Sequence, residues 1–141
     1  MRKIIISLLV SCVGVMPVVA SELQLYQDPI PYGTYIKDLD SLLADAVKRN
    51  HWVFSKDESG IRYANLDYKT YKINTELMVK DNSVAVKLIS AARPDCGKKS
   101  CKVDMDRVDG WLVKLRRSIA YDVTKAVRDD ALKRRFVEDI E

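Results

Sequence analysis

Histidine is all but missing from this chain: His51 is the only one in 141 residues. No nucleophile or carboxylate motif surrounds it, and a general base needs such a partner, so it reads as a capping or surface residue. Glycine is scarce, at five residues, and builds neither a phosphate-cradling loop nor a nucleophile elbow. Beyond residue 20 no apolar run approaches the roughly 20 residues that span a bilayer. The formal charge of +4 is modest, which argues against a nucleic-acid partner. These absences remove most enzyme classes, membrane-spanning proteins and nucleic-acid binders.

What is present begins with an export address. Arg2 and Lys3 form a short positive region, an apolar run follows from Ile4, and Pro17 precedes the small-residue end Val18-Val19-Ala20. That order describes a secretory signal peptide cleaved after Ala20. The alternative is a lipoprotein: Leu9-Val10-Ser11-Cys12 has the residue types of a lipid-attachment box, with Cys12 as the anchor. Against it, the apolar run before Cys12 is short and Val13 to Ala20 would remain in the mature chain. The expected organisation is a signal peptide over 1–20, an extended N-terminal arm over 21–34, and one domain over 35–141 with a charged C-terminal tail. The expected location is periplasmic or secreted.

Once Cys12 leaves with the signal peptide, Cys96 and Cys101 remain. A pair of thiols in an oxidising compartment reads as a disulfide, and two thiols without a nearby His make an incomplete zinc site. Around the pair, basic residues crowd: Arg93, Lys98, Lys99, Lys102 and Arg107, then Lys114, Arg116 and Arg117. Asp95, Asp104, Asp106 and Asp109 oppose them. Arg93, Lys98, Lys99, Lys102 and Arg107 are the candidate binding surface, suited to anionic lipid or an acidic envelope polymer. The plainer reading is a solvated loop and helix face.

Periodicity supplies the fold. Pro29, Pro31 and Gly33 make 21–34 an extended arm. Thr34 is then a candidate helix cap, and Ile36, Leu39, Leu42, Leu43, Ala46 and Val47 recur at helical spacing. Asn50 is the candidate left-handed closing residue. Trp52-Val53-Phe54 starts a set of strands, with a turn at 56–60 and another at 67–69. Tyr71, Ile73, Thr75, Leu77 and Val79 alternate with polar residues, Asp81-Asn82 makes a two-residue turn, and Val84, Val86 and Leu88 continue the apolar face. Tyr63, Tyr68 and Tyr71 fit half-buried strand packing better than a binding surface on the open sheet face. Asp104 or Asp106 caps a second helix, whose stripe is Val108, Trp111, Leu112, Leu115, Ile119, Val123 and Ala126, continuing through Ala131, Leu132 and Phe136. Whether that helix is one rod or two pieces meeting near Tyr121 stays open at this point. The fold expected is α+β, a two-layer sandwich with an antiparallel meander of three or four strands flanked in sequence by two helices.

The segment Asp104 to Gly110 looks like a calcium loop, but its third acid is displaced by one and Lys114-Leu115 stand where a bidentate Glu belongs. Helix capping accounts for the acids. No cofactor and no metal is expected.

Arg49-Asn50-His51-Trp52, Gly60-Ile61, Ala64, Leu66, Trp111, Leu112, Leu115 and Ile119 together resemble a group of small uncharacterised bacterial envelope proteins, many of them lipoproteins. Members share an amphipathic helix ending in Arg-x-Trp, a Gly-Ile hairpin, a meander and a closing helix with a Trp. Here the Arg-to-Trp spacing has one extra residue, and the Cys96–Cys101 loop departs from the pattern. The resemblance covers about residues 36 to 120, implies fold and envelope location, and carries no catalytic residue with it. The expectation for function is a non-enzymatic exported binding protein whose partner is an envelope or secreted protein, in one version an inhibitor or immunity protein using Lys98 and Lys99. The first alternative is an envelope stress-linked protein contacting anionic lipid or cell-wall polymer. The second is a small hydrolase without a recognisable motif. Oligomeric state is not readable from the sequence.

Overall fold

The computed structural model describes residues 24–138. The expected signal peptide and the Cys12 alternative lie outside them. A 3-10 turn at Leu25–Gln27 leads into β1 (Ile30–Pro31). Then come α1 (Leu39–Lys48), β2 (Val53–Lys56), β3 (Arg62–Tyr68), β4 (Tyr71–Lys80), β5 (Ser83–Ala92) and α2 (Met105–Glu138). The strands form one antiparallel sheet in the order β1-β5-β4-β3-β2. The fold is α+β, as the periodicity implies, with five strands in place of three or four.

The extra strand comes from the arm. Ile30 pairs with Val84 and Pro31 with Ser83. Proline cannot donate to a ladder, so a two-residue edge strand is where it fits. Tyr26 and Ile30 are buried in the core, and Arg116 Nε donates to the Asp28 carbonyl at 2.8 Å. The arm is therefore stitched to the sheet and to α2. Its bonds also delay α1: the Tyr32 and Gly33 N–H groups donate to the Asn82 carbonyl. The cap is Asp38, whose carboxylate accepts from the Ser41 N–H at 3.0 Å, and Thr34 lies in a turn.

The end of α1 corrects a second expectation. His51, not Asn50, takes the left-handed conformation, at φ 66°. The Trp52 N–H donates to the Val47 carbonyl and the His51 N–H to the Lys48 carbonyl, a Schellman closure. Its apolar member is Trp52, which buries in the same core cluster as Val47. Trp52 sets the register, and the residue before it must turn left whatever its type.

Along β4, Tyr71, Ile73, Thr75 and Leu77 are buried while Lys72, Asn74 and Met78 are exposed, the alternation read from the sequence. Asp81 and Asn82, at φ 50° and 55°, make the two-residue turn to β5. A bulge sets Ile89 outside the pairing, since Asn74 faces Ser90 and Thr75 faces Leu88. Two buried polar side chains are satisfied. Thr75 donates to the Ala64 carbonyl across β3–β4, and Ser118 donates to the Ala46 carbonyl between the helices. Val108, Leu112, Leu115, Ile119 and Val123 of α2 share one core cluster with α1 and the inner sheet face.

α2 is one continuous helix of 34 residues, about 51 Å long at 1.5 Å per residue. Its buried stripe does not continue through Leu132 and Phe136, which are 47% and 68% exposed. The helix outruns the body it packs on. In its last turns, Arg134 lies over the Tyr35 ring at 5.3 Å.

Candidate anion-binding surface

Arg93, Lys98, Lys99, Lys102 and Arg107 do not act as one patch. Cys96 and Cys101 are bonded, with their Cα atoms 5.7 Å apart, and Lys98 and Lys99 sit exposed on the ring they close. Lys102 follows, also exposed. Arg93 is different. Its guanidinium lies 4.7 Å from the Tyr71 ring centroid, donates to Thr70 Oγ1 at 3.1 Å and donates to the Lys102 carbonyl at 3.2 Å. Arg93 is thus a clamp that holds the loop against the β3–β4 turn. The Tyr71 hydroxyl adds to the clamp by accepting from the Asp104 N–H. Asp104 itself caps α2, its carboxylate accepting from the Arg107 N–H at 3.3 Å. The supposed calcium loop is a helix cap and first turn.

Arg107 opens a longer feature. Positions 107, 110, 114, 117, 121, 125 and 128 recur at intervals of three and four, so they lie along one side of α2. They are Arg107, Gly110, Lys114, Arg117, Tyr121, Lys125 and Arg128, all exposed. None is acidic. Arg107, Lys114, Arg117 and Lys125 form no ion pair among the described residues, whereas Arg128 pairs with its neighbour Asp129 at 3.0 Å. Arg116, one of the crowd read from the sequence, points the other way, to Asp28. Lys125 and Arg128 were missed, although helical arithmetic carried past Arg117 would have found them.

A groove borders this row where the end of α1 meets α2. Arg49, His51, Tyr68, Trp111 and Lys114 line a cavity of about 160 Å³. A broader, shallower depression continues from it past Arg117 to Tyr121. The rings form a relay. His51 and Tyr68 are parallel at 6.1 Å between centroids, Tyr68 meets Trp111 edge-on at 5.8 Å, and Trp111 meets Tyr71 edge-on at 5.0 Å. Tyr68 and Tyr71 face each other across β3 and β4 on the helix side of the sheet. Of the three strand tyrosines only Tyr63 has the parity of the open face. Arg49 pairs with Asp122 and lies over Tyr121, so its charge is largely spoken for.

The groups with displaced ionisation lie elsewhere. Lys56 and Arg62 donate to Asp40 at 2.7 and 2.5 Å and hold its carboxyl below the usual range. Burial, helped by the Asp109 charge, raises Tyr26. Desolvation and the hydrogen bond to Asp57 raise Tyr63. All three tie elements together, and none lines the groove. Comparison with protein-family models, with curated proteins and with solved structures finds no significant match.

Proposed function

We propose that the protein is a small exported, non-enzymatic binding module that holds an anionic polymer of the bacterial envelope along the outer side of α2. The observation that supports this is the row Arg107, Lys114, Arg117, Lys125 and Arg128, exposed and without a carboxylate among them. Twenty-one residues separate its ends, about 32 Å of helix. Unpaired like charges repel one another, so such a row is better accommodated when a polyanion lies along it. An amphipathic helix that enters a bilayer needs a face of Trp, Phe or Leu beside its cations. Between 107 and 128 this side offers only Tyr121, which favours a hydrated polymer over lipid. The export signal and the resemblance to envelope proteins supply the location.

The alternative reading, a protein inhibitor, draws on the disulfide ring, which presents Lys98 and Lys99 on a short tether suited to an acidic cleft.

Co-sedimentation with purified cell-wall sacculi and with anionic vesicles tests the proposal. It expects binding to sacculi at low ionic strength and release near 1 M salt, where the screening length falls to about 3 Å. Charge reversal at Lys114 and Arg117 abolishes that binding. Binding that survives the reversal, or that is lost only when Lys98 and Lys99 are reversed, contradicts it.

A further inference from the structure

The groove beside the cationic row is built for more than charge. Its lining includes Trp111, half-buried, and Tyr68, 38% exposed with the Lys69 ammonium 5.2 Å from its ring centroid, the two rings fixed by edge-on contacts. Its far end is Tyr121, ten residues on from Trp111, about 15 Å along the helix. Between these two aromatic ends stand Lys114 and Arg117, both exposed and free of ion pairs among the described residues. At the rim, His51 holds a left-handed conformation that non-glycine residues seldom take, and its ring stacks parallel to Tyr68.

Rings lining a concavity, with cations beside them, match a flat or ring-shaped ligand with an acidic group. Sugar rings present C–H faces that pack on aromatic faces, and a carboxylate or phosphate on the ring reaches the ammonium and guanidinium groups. A bilayer would instead take apolar side chains that protrude. One feature opposes an anion here: the C-terminal end of α1, with its partial negative charge, points at the groove. That end carries about half a charge, and its Val47 and Lys48 carbonyls are already bonded. Lys114 and Arg117 outweigh it. Arg49 adds little, being paired with Asp122.

We propose that the groove lined by Tyr68, Trp111 and Lys114 is a subsite for one acidic sugar unit, a pyranose bearing a carboxylate or a phosphate. This rests on the polyanion reading and sharpens it to a glycan. At about 160 Å³ the cavity is smaller than the pockets that enclose whole drug-sized ligands, so it takes one unit of a longer chain. The rest of that chain continues over Arg117 and Tyr121 into the open row.

Trp111 and Trp52 both line the cavity, so their fluorescence reports occupancy. The purified protein is titrated at low salt with tetragalacturonate, with neutral cellotetraose as control and with phosphatidylglycerol vesicles as the lipid arm. The expected result is a saturable change with tetragalacturonate and affinity for cellotetraose at least about tenfold weaker. Tyr68→Ala and Lys114→Glu each weaken the tetramer about fivefold or more. Lys114 is an exposed helix position, so its variant leaves the core intact, and circular dichroism checks both folds. Lys72→Glu with Lys87→Glu, on the open sheet face and outside the row, binds the tetramer as before. If the groove variants bind the tetramer normally while Lys125→Glu with Arg128→Glu, farther along the row, loses it, the subsite is wrong and the polyanion reading stands. If vesicles give the larger response and the groove variants abolish it, the ligand is a lipid headgroup and the glycan assignment falls. If no probe is bound, both readings fall.

Discussion

The molecule has two solvent-facing layers, and they treat charge in opposite ways. On the open sheet face, charges are matched. Lys72 pairs with Asp67 at 3.6 Å, directly across β3 and β4, and Glu76 stands opposite Lys87 across β4 and β5. Asn74 donates to Ser90 between them. Lys80, at the end of β4, is the one cation of this face with no acid opposite it among the described residues, and Met78 and Ile89 are exposed beside the pairs. On the outer side of α2, four of five cations have no partner among the described residues, and no acid interrupts the row. Surface pairs contribute little to stability, so the sheet's matching mainly suppresses unwanted contacts, while the helix leaves its field open. The two layers share one core, and the sheet mixes acids with its cations where the row on α2 has none.

That contrast can be attacked from the core outward. The largest effect is expected from Leu115→Ala, which leaves a cavity at a fully buried position under both layers. It should cost about 2–5 kcal/mol in denaturant unfolding and disable both faces together. Substitutions at Lys114 or Arg117 should leave the same unfolding curve within about 0.5 kcal/mol, which separates folding from binding. A Cys96→Ser, Cys101→Ser double variant should lose about 2 kcal/mol, the chain-entropy value for so short a loop. It should loosen Lys98 and Lys99 while α2 retains its polyanion binding.

Smaller still is Asp40→Asn, about 0.2–1 kcal/mol, because its partners are partly solvated. The sign follows from its lowered pKa. The contribution of Asp40 is complete above the ordinary value of 3.8 and is lost as pH falls through the lowered folded value. The variant should therefore show a flatter loss of stability below about pH 4 than the wild type. At the β3–β4 turn two opposing effects meet. Lys69 and Thr70 hold φ of 48° and 71° without a glycine. Thr70→Gly relieves that strain but gives up the hydrogen bond from Arg93, so the net shift should stay within about 1 kcal/mol in thermal unfolding.

The same turn shows why part of the structure was not legible in the sequence. Alternation named the inner face of β4 and β5 residue by residue, and the helical stripe named Val108 to Val123. The turn expected at 67–69 falls at Lys69-Thr70, since Asp67 and Tyr68 stay in β3, and nothing local marks those two residues as left-handed. It is placed there by Tyr68, which stays in the strand to reach Trp111, and by Arg93, a residue 23 positions later. His51 is a similar case, its conformation dictated by the burial of Trp52. β1 was hidden because prolines conceal a strand that exists only at an edge. Of the binding surface, the loop lysines and Arg107 were visible as a cluster, and Arg93 was misread with them because its partners are distant in sequence. The groove was invisible, since it joins the end of α1 to α2 and Tyr68, elements that only the fold brings together.

The most direct test sets the two layers against each other. Lys114→Glu with Arg117→Glu on α2, and Lys72→Glu with Lys87→Glu on the sheet, remove equal charge from opposite sides. Each is measured for retention on immobilised polygalacturonate as salt is raised. The account expects the sheet variant to elute at nearly the wild-type salt concentration and the helix variant to pass through unretained. Equal losses in both would mean that net charge alone governs retention, and the claim of a dedicated helix face would be wrong.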